Sequence, residues 1–153
     1  AVSDICGNVF MEIPRYEKAG DNYYEARIVT NADNNLKSFE VECITLDSLY
    51  KHYKFMPSFI KCDVEGFEWN VFNGATNLLK DTEPVLLVEI NYPLDNPDKK
   101  TKELISLLKS YDYDIYVKEG DRLKIWKGEK KTNYYFLKPS QVNKLKAKSI
   151  ISI

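Results

Sequence analysis

The sequence predicts an α/β fold with a largely parallel sheet, and three observations carry that prediction. Two short apolar runs, residues 59–63 and 84–91, read as strands buried on both faces, the pattern of parallel sheets. Each is followed by apolar residues at helical spacing: Phe67, Val71, Phe72, Ala75, Leu78 and Leu79 after the first, Leu104, Ile105, Leu107 and Leu108 after the second. The last third of the chain turns to short strands at residues 113–117, 122–126 and 134–137, with Glu119-Gly120-Asp121 as the hairpin turn between the first two. Alternating strands and helices followed by antiparallel closing strands define an α/β sandwich.

Ala1-Val2-Ser3-Asp4 shows no helix or strand of its own. Val9, Met11 and Ile13 alternate with Asn8, Phe10 and Glu12, which predicts a strand over residues 7–13. Residues 14–37 are polar, with turn material at Gly20-Asp21-Asn22 and at residues 32–35 around a weak strand at 23–29. Residues 39–44 alternate apolar and acidic, as a partly exposed strand does. Thr45 or Asp47 then caps a short helix whose inner side is Leu46, Leu49, Tyr50 and Tyr53. The central strand meets a turn at Gly66. Gly74 falls inside the next helix, where it costs roughly 1 kcal/mol relative to alanine, so close packing on the sheet is expected there. Asn96-Pro97 caps the helix after the second apolar run, with proline at its first position. The lysine-rich tail from Ser140 ends in Ile150, Ile151 and Ile153 and reads either as a docked helix or as a frayed end. The organisation is therefore one domain, residues 1–139, and a tail, 140–153, with no internal repeat.

With 153 residues and 44% hydrophobic content the chain has enough apolar material for one real core. Twenty-two basic against 23 acidic residues leave no global field for nucleic acid or an acidic membrane. No apolar run approaches membrane-spanning length and no signal peptide is seen. Cys6, Cys43 and Cys62 lack metal-type spacing and leave an odd thiol, which suggests a reducing compartment; a soluble cytoplasmic domain is the expectation.

The chemistry concentrates on Pro57-Ser58-Phe59-Ile60-Lys61-Cys62-Asp63-Val64-Glu65-Gly66-Phe67-Glu68. Strand alternation puts Lys61, Asp63 and Glu65 on one face, and carboxylates at the end of an apolar strand are costly to bury without partners or a task. Ligands of open α/β sheets bind beyond the carboxyl ends of the strands, where Asp63 and Glu65 fall, with Glu89 and Asn91 at the end of the second run. Lys61 reads as the ion-pair partner of Asp63 or Glu65. Glu65 has a second reading of equal weight, as an acceptor of backbone N–H groups from the first turn of the following helix. Cys62 is expected to be a small buried hydrophobe opposite Asp63, and His52 a surface helix residue. Tyr23, Tyr24, Tyr134 and Tyr135 read as sheet residues, and the lysine-rich segments as solvated surface. Asp63, Glu89 and Asn91 form an oxygen-rich set that would suit Mg²⁺ or Ca²⁺, but no metal is assigned.

These segments resemble the FkbM family of S-adenosylmethionine-dependent methyltransferases. The resemblance rests on Ile44-Thr45-Leu46-Asp47-Ser48-Leu49, the stretch Phe59 through Glu68, Val71-Phe72-Asn73-Gly74-Ala75 and Pro84-Val85-Leu86-Leu87-Val88-Glu89-Ile90, in that order. It implies a Rossmann-like class I methyltransferase fold, with S-adenosyl-L-methionine as cofactor and O-methylation of a small molecule or sugar as the reaction. It implies Asp63 beside the cofactor's methyl group, as the base and a cofactor contact; Glu65 and Glu89 are read beside it as further catalytic residues that position the acceptor or help hold a cation. It also implies Ser3 and Asp4 near the adenine, while Asn91 and Tyr92 are read at the acceptor from their place at the end of the second run. The chain departs from the family at the cofactor's Gly-rich turn, since no Gly-x-Gly occurs in it. The expectation is a fold lacking its first βαβ portion, whose bare edge beside residues 59–63 is covered by upstream strands or by a second copy. Two other readings stand beside this one: a degenerate, non-catalytic methyltransferase fold that binds a partner, and a metal-dependent nuclease using Lys61, Asp63, Glu65 and Glu89.

Overall fold

The computed structural model describes residues 1–18, 20–29, 36–148 and 150–151. In chain order the strands are β1 (Gly7–Ile13), β2 (Arg15–Tyr16), β3 (Gly20–Asp21), β4 (Arg27–Val29), β5 (Lys37–Cys43), β6 (Phe59–Cys62), β7 (Val85–Glu89), β8 (Asp114–Glu119), β9 (Arg122–Ile125) and β10 (Asn133–Leu137). The helices are α1 (Leu46–Tyr53), α2 (Glu68–Asn73), α3 (Thr76–Thr82), α4 (Lys99–Ser110) and α5 (Pro139–Ala147), with a 3₁₀ turn at Tyr23–Glu25.

The main sheet has the order β6-β7-β10-β8-β9. Only β6 and β7 pair in parallel; β10 pairs antiparallel with both β7 and β8, and β9 antiparallel with β8. Because β7 and β8 both oppose β10, they point the same way, so β6, β7 and β8 share a direction while the closing strands oppose it. The expected largely parallel sheet is thus a mixed one. Its directions follow the expectation, but β10 returns between β7 and β8 and replaces a parallel contact by two antiparallel ones.

The amino-terminal strands form a separate antiparallel sheet, β4-β1-β5, in which Val9 faces Val41 and Met11 faces Phe39. The expected strand at 23–29 is shorter than predicted, since Asn22 caps the 3₁₀ turn by accepting from the Tyr24 N–H and leaves only β4 to pair. Tyr23 and Tyr24 are accordingly exposed turn residues, whereas Tyr134 and Tyr135 lie in β10. The expected turn at 32–35 lies outside the described residues. Ala1 to Ser3, predicted to lack structure, run beside Ile44: Ser3 N–H donates to the Ile44 carbonyl, Ile44 N–H to the Ala1 carbonyl, and Val2 bridges Ile44 in parallel.

Two caps come from one short motif. The Thr45 hydroxyl accepts from the Ser48 N–H and starts α1, while Asp47 reaches to the start of α3, accepting from the Asn77 and Leu78 N–H groups and from the Thr76 and Asn77 side chains. The helix expected to run unbroken from Phe67 to Leu79 is therefore two, interrupted at Gly74 and Ala75. Gly74 does permit a close approach, but of the Ser3–Asp4 backbone rather than of the sheet. The helix α4 starts two residues later than expected, with Asp98 rather than Asn96 as cap, accepting from the Thr101 N–H at 2.9 Å.

The main core gathers Cys62, Phe72, Leu79, Leu86, Val88, Leu104, Leu108, Tyr113, Val117, Tyr134 and Phe136. A smaller cluster of Tyr116, Leu123, Leu137, Val142 and Ile151 forms where the tail docks. Of its two readings the tail takes the helical one: α5 begins at Pro139, and the Ile150 carbonyl accepts from the Leu123 N–H.

Candidate active site

The parallel register sets Lys61 opposite Leu87 and Cys62 opposite Val88, so one residue further along each strand Asp63 and Glu89 become neighbours. Cys62 packs inward, 3% exposed, as expected for the face opposite Asp63. Lys61 Nζ lies 2.6 Å from Asp63 Oδ2, so Lys61 is the partner of Asp63, and this hydrogen bond raises the lysine above its ordinary value. Burial, then the Asp63 charge and a hydrogen bond with Asp63, push the Glu89 carboxyl up.

Glu65 does not share the strand face. The strand ends at Cys62, and Glu65 and Gly66 take positive φ values of 53° and 92°, which turn the chain back toward α2. Neither of its readings as the helix's N–H acceptor or as a partner of Lys61 holds: among the described residues its carboxylate has no hydrogen bond or ion pair. Burial and the charges of Asp63, Glu25, Glu89 and Glu68 push its carboxyl up. The residue that does accept backbone N–H groups here is Glu68, 8% exposed, whose Oε1 takes the Val64 N–H at 3.2 Å and the Gly66 N–H at 3.1 Å.

Two cavities flank this turn and Glu65 lines both. The larger, about 410 Å³, lies between the ends of β6 and β7 and α4, walled by Glu68, Trp69, Asn91, Tyr92, Lys100 and Leu104 among others. The smaller, about 220 Å³, lies toward the amino-terminal sheet and is walled by Val2, Met11, Ile28, Asp63 and Val64 among others. Lys100 stands 4.4 Å above the Phe67 ring and donates to Asn70 Oδ1. Glu89, Asp63 and Glu65 are thus brought together, and Asn91 and Tyr92 fall in the cavity beside them.

Ser3 and Asp4 lie elsewhere. Ser3 is buried and its hydroxyl donates to Asp4, which also accepts from the Asn70 and Asn73 side chains. Burial pushes the Asp4 carboxyl up, but the hydrogen bonds from Asn70, Ser3 and Asn73 outweigh it and hold the group below its ordinary value. Neither residue lines either cavity; their neighbours Ala1 and Val2 line the smaller one. Sequence reasoning gave no role to Glu68, Trp69 or Lys100. The signal for Glu68 was an acidic residue two positions past the turn glycine, at the start of a helix. Among the described residues no group of three His, Cys, Asp or Glu side chains is arranged to hold a metal ion, and no helix is long and apolar enough to cross a membrane.

A family model described as a methyltransferase FkbM domain matches residues 9–115, more than two thirds of the chain and all of the site from Asp63 to Lys100. No curated protein and no solved structure matches it.

Proposed function

The chain belongs to the FkbM methyltransferase family, and from that premise we propose that it methylates a hydroxyl group of a small molecule or sugar in the cytoplasm, using S-adenosylmethionine. The observation that carries this reading is the Asp63 carboxylate, held between Lys61 and Glu89 on the wall of one cavity and beside a second. The smaller cavity suits the cofactor: Val2, Met11, Ile28 and Val64 give apolar walls for a flat base, and Asp63 and Glu65 give negative charge for a sulfonium. Bound there, S-adenosylmethionine supplies an electrophilic methyl group.

The acceptor hydroxyl must be oriented and must lose its proton, and the chain's own groups do both. Asp63 takes the proton. Lys61 fixes the Asp63 side chain in one direction, and the Glu89 carboxyl stands beside it at the end of the other strand. Asn91, Tyr92 and Trp69 line the larger cavity, where they orient the acceptor, and Glu65 stands between acceptor and donor. The open edge of β6 supports a Rossmann-like sheet continued there by upstream strands that bring the Gly-rich loop, or by a second copy. A domain that only bound a partner would have no use for a carboxyl pair built across two strand ends.

Calorimetric titration with S-adenosylhomocysteine tests the reading, on this chain and on a form extended upstream. Binding to either form supports it; silence from both would leave the non-catalytic reading.

A further inference from the structure

Between β6 and α2 the chain makes a turn whose geometry it does not hold by itself. Glu65 is a non-glycine residue at φ 53°, Gly66 follows at φ 92°, and no hydrogen bond or ion pair ties down the Glu65 side chain among the described residues. A residue with a Cβ is unfavourable in the left-handed region unless the surroundings over-determine it. The N–H groups of Val64 and Gly66, on either side of Glu65, both point at one atom, Glu68 Oε1. Glu68 is itself buried, so water does not readily take over the two hydrogen bonds that its Oε1 accepts. It lies in the first turn of α2, whose Val71 and Phe72 are anchored in the core.

We propose that Glu68 is the positioning residue of this site: its carboxylate clamps the amides on both sides of Glu65, and so fixes where Asp63 and Glu65 stand between the two cavities. This rests on the methyltransferase reading for its catalytic meaning, but not for the clamp. The Glu68 side chain acts through the turn and needs no contact with donor or acceptor. The chemistry of the clamp asks for a carbonyl-type oxygen at that point, which glutamine also offers and alanine does not.

The test uses Glu68→Gln and Glu68→Ala in the full-length protein. Native-state amide exchange is followed at Val64 and Gly66, with Leu86 and Val88 of β7 as core controls. Glu68→Ala is expected to speed exchange at Val64 and Gly66 by about tenfold or more, with the β7 amides unchanged. Glu68→Gln is expected to recover most of that protection. In methyl transfer, measured as S-adenosylhomocysteine formed, Glu68→Ala should lower kcat far more than it raises KM for S-adenosylmethionine, and glutamine should rescue kcat. Unchanged exchange at Val64 and Gly66 in Glu68→Ala would overturn the clamp, and so would a glutamine variant as damaged as the alanine one. If the unaltered protein formed no S-adenosylhomocysteine, the proposed function would fall, while the exchange measurement would still decide for or against the clamp.

Discussion

A Cβ on Gly74 would stand 2.3 Å from the carbonyl oxygen of Ser3 and 3.0 Å from the Asp4 Cα. The two segments are far apart in sequence, and both obstructing atoms are backbone, so no side chain can swing aside. The α2–α3 break also holds the Ser3–Asp4 segment through Asn70 and Asn73, which both donate to Asp4. Gly74→Ala sets a gain in helix propensity of about 1 kcal/mol against this clash, but Gly74 sits at a helix end with an ordinary φ of −85°, so little of that gain is available. The clash wins. Urea unfolding should show the variant less stable by about 1–3 kcal/mol; an unchanged midpoint would mean that the amino-terminal segment lifts away at little cost.

Asp47 starts no helix of its own but caps α3 from a distance. Its two oxygens accept the Asn77 and Leu78 N–H groups, two of the donors that a helix start leaves unsatisfied. Asp47→Ala should cost about 1–2 kcal/mol in urea unfolding. Asp47→Asn keeps one acceptor and should lose less. An alanine variant equal to the unaltered protein would show that water serves these amides as well.

The parts of the fold that sequence shows well are those governed by local periodicity. The strand Gly7–Ile13 falls where the alternation of Val9, Met11 and Ile13 puts it, and Thr45 caps α1 as its residue type suggests. The break at Gly74 was hidden because the apolar spacing of Val71, Phe72, Ala75, Leu78 and Leu79 continues across it. What forces the break is long-range: the Ser3 carbonyl on one side and the Asp47 carboxylate on the other. The site divides in the same way. Asp63 and Glu89 were legible because they end apolar strands, and parallel register makes strand ends meet. Glu65 was assigned to the strand face because alternation was carried past Cys62, where the chain already turns. Ser3 and Asp4 owe their surroundings to α2, a contact that no local pattern announces.

The carboxyl groups of Glu65 and Glu129 should respond to pH in opposite senses. Burial and neighbouring carboxylates hold Glu65 above the ordinary value of 4.5, whereas the Lys127 N–H and its own N–H, then Lys124, hold Glu129 down at about 2. A raised carboxyl disfavours the folded state only once it ionises: there is no penalty below 4.5, where both states are protonated, and the penalty grows as pH rises through the folded value. Glu65→Gln should therefore raise the urea midpoint at about pH 7 and leave it unchanged at about pH 3. The depressed Glu129 stabilises the fold above 4.5 and loses that contribution as pH falls through about 2. Glu129→Gln should accordingly lower the midpoint near neutrality, with the difference closing in acid. Side-chain NMR titration checks both directions, and a Glu65 carboxyl titrating below 4.5 would contradict the picture of four carboxylates acting on it.

Asp63 and Glu89 meet across the parallel pair, yet their proposed roles differ, and substitution should separate the two. Asparagine in place of Asp63 keeps the shape and an oxygen for Lys61, but it cannot take a proton from a hydroxyl. If Asp63 is the base, Asp63→Asn should lower kcat by about a hundredfold or more while leaving S-adenosylhomocysteine affinity within about threefold. Glu89 stands beside Asp63 but is not the proposed base, and glutamine keeps its shape and polarity, so Glu89→Gln should lose much less than Asp63→Asn. Glu89→Ala should fall between them, because it removes the neighbouring carboxyl and leaves Asp63 to Lys61 alone. The ordering matters more than any one value. Were Glu89→Gln the more damaging change, the proton would be leaving through Glu89, and the roles of the two carboxyls would have to be exchanged. Initial rates of S-adenosylhomocysteine formation, with calorimetric affinities for the same variants, give both quantities.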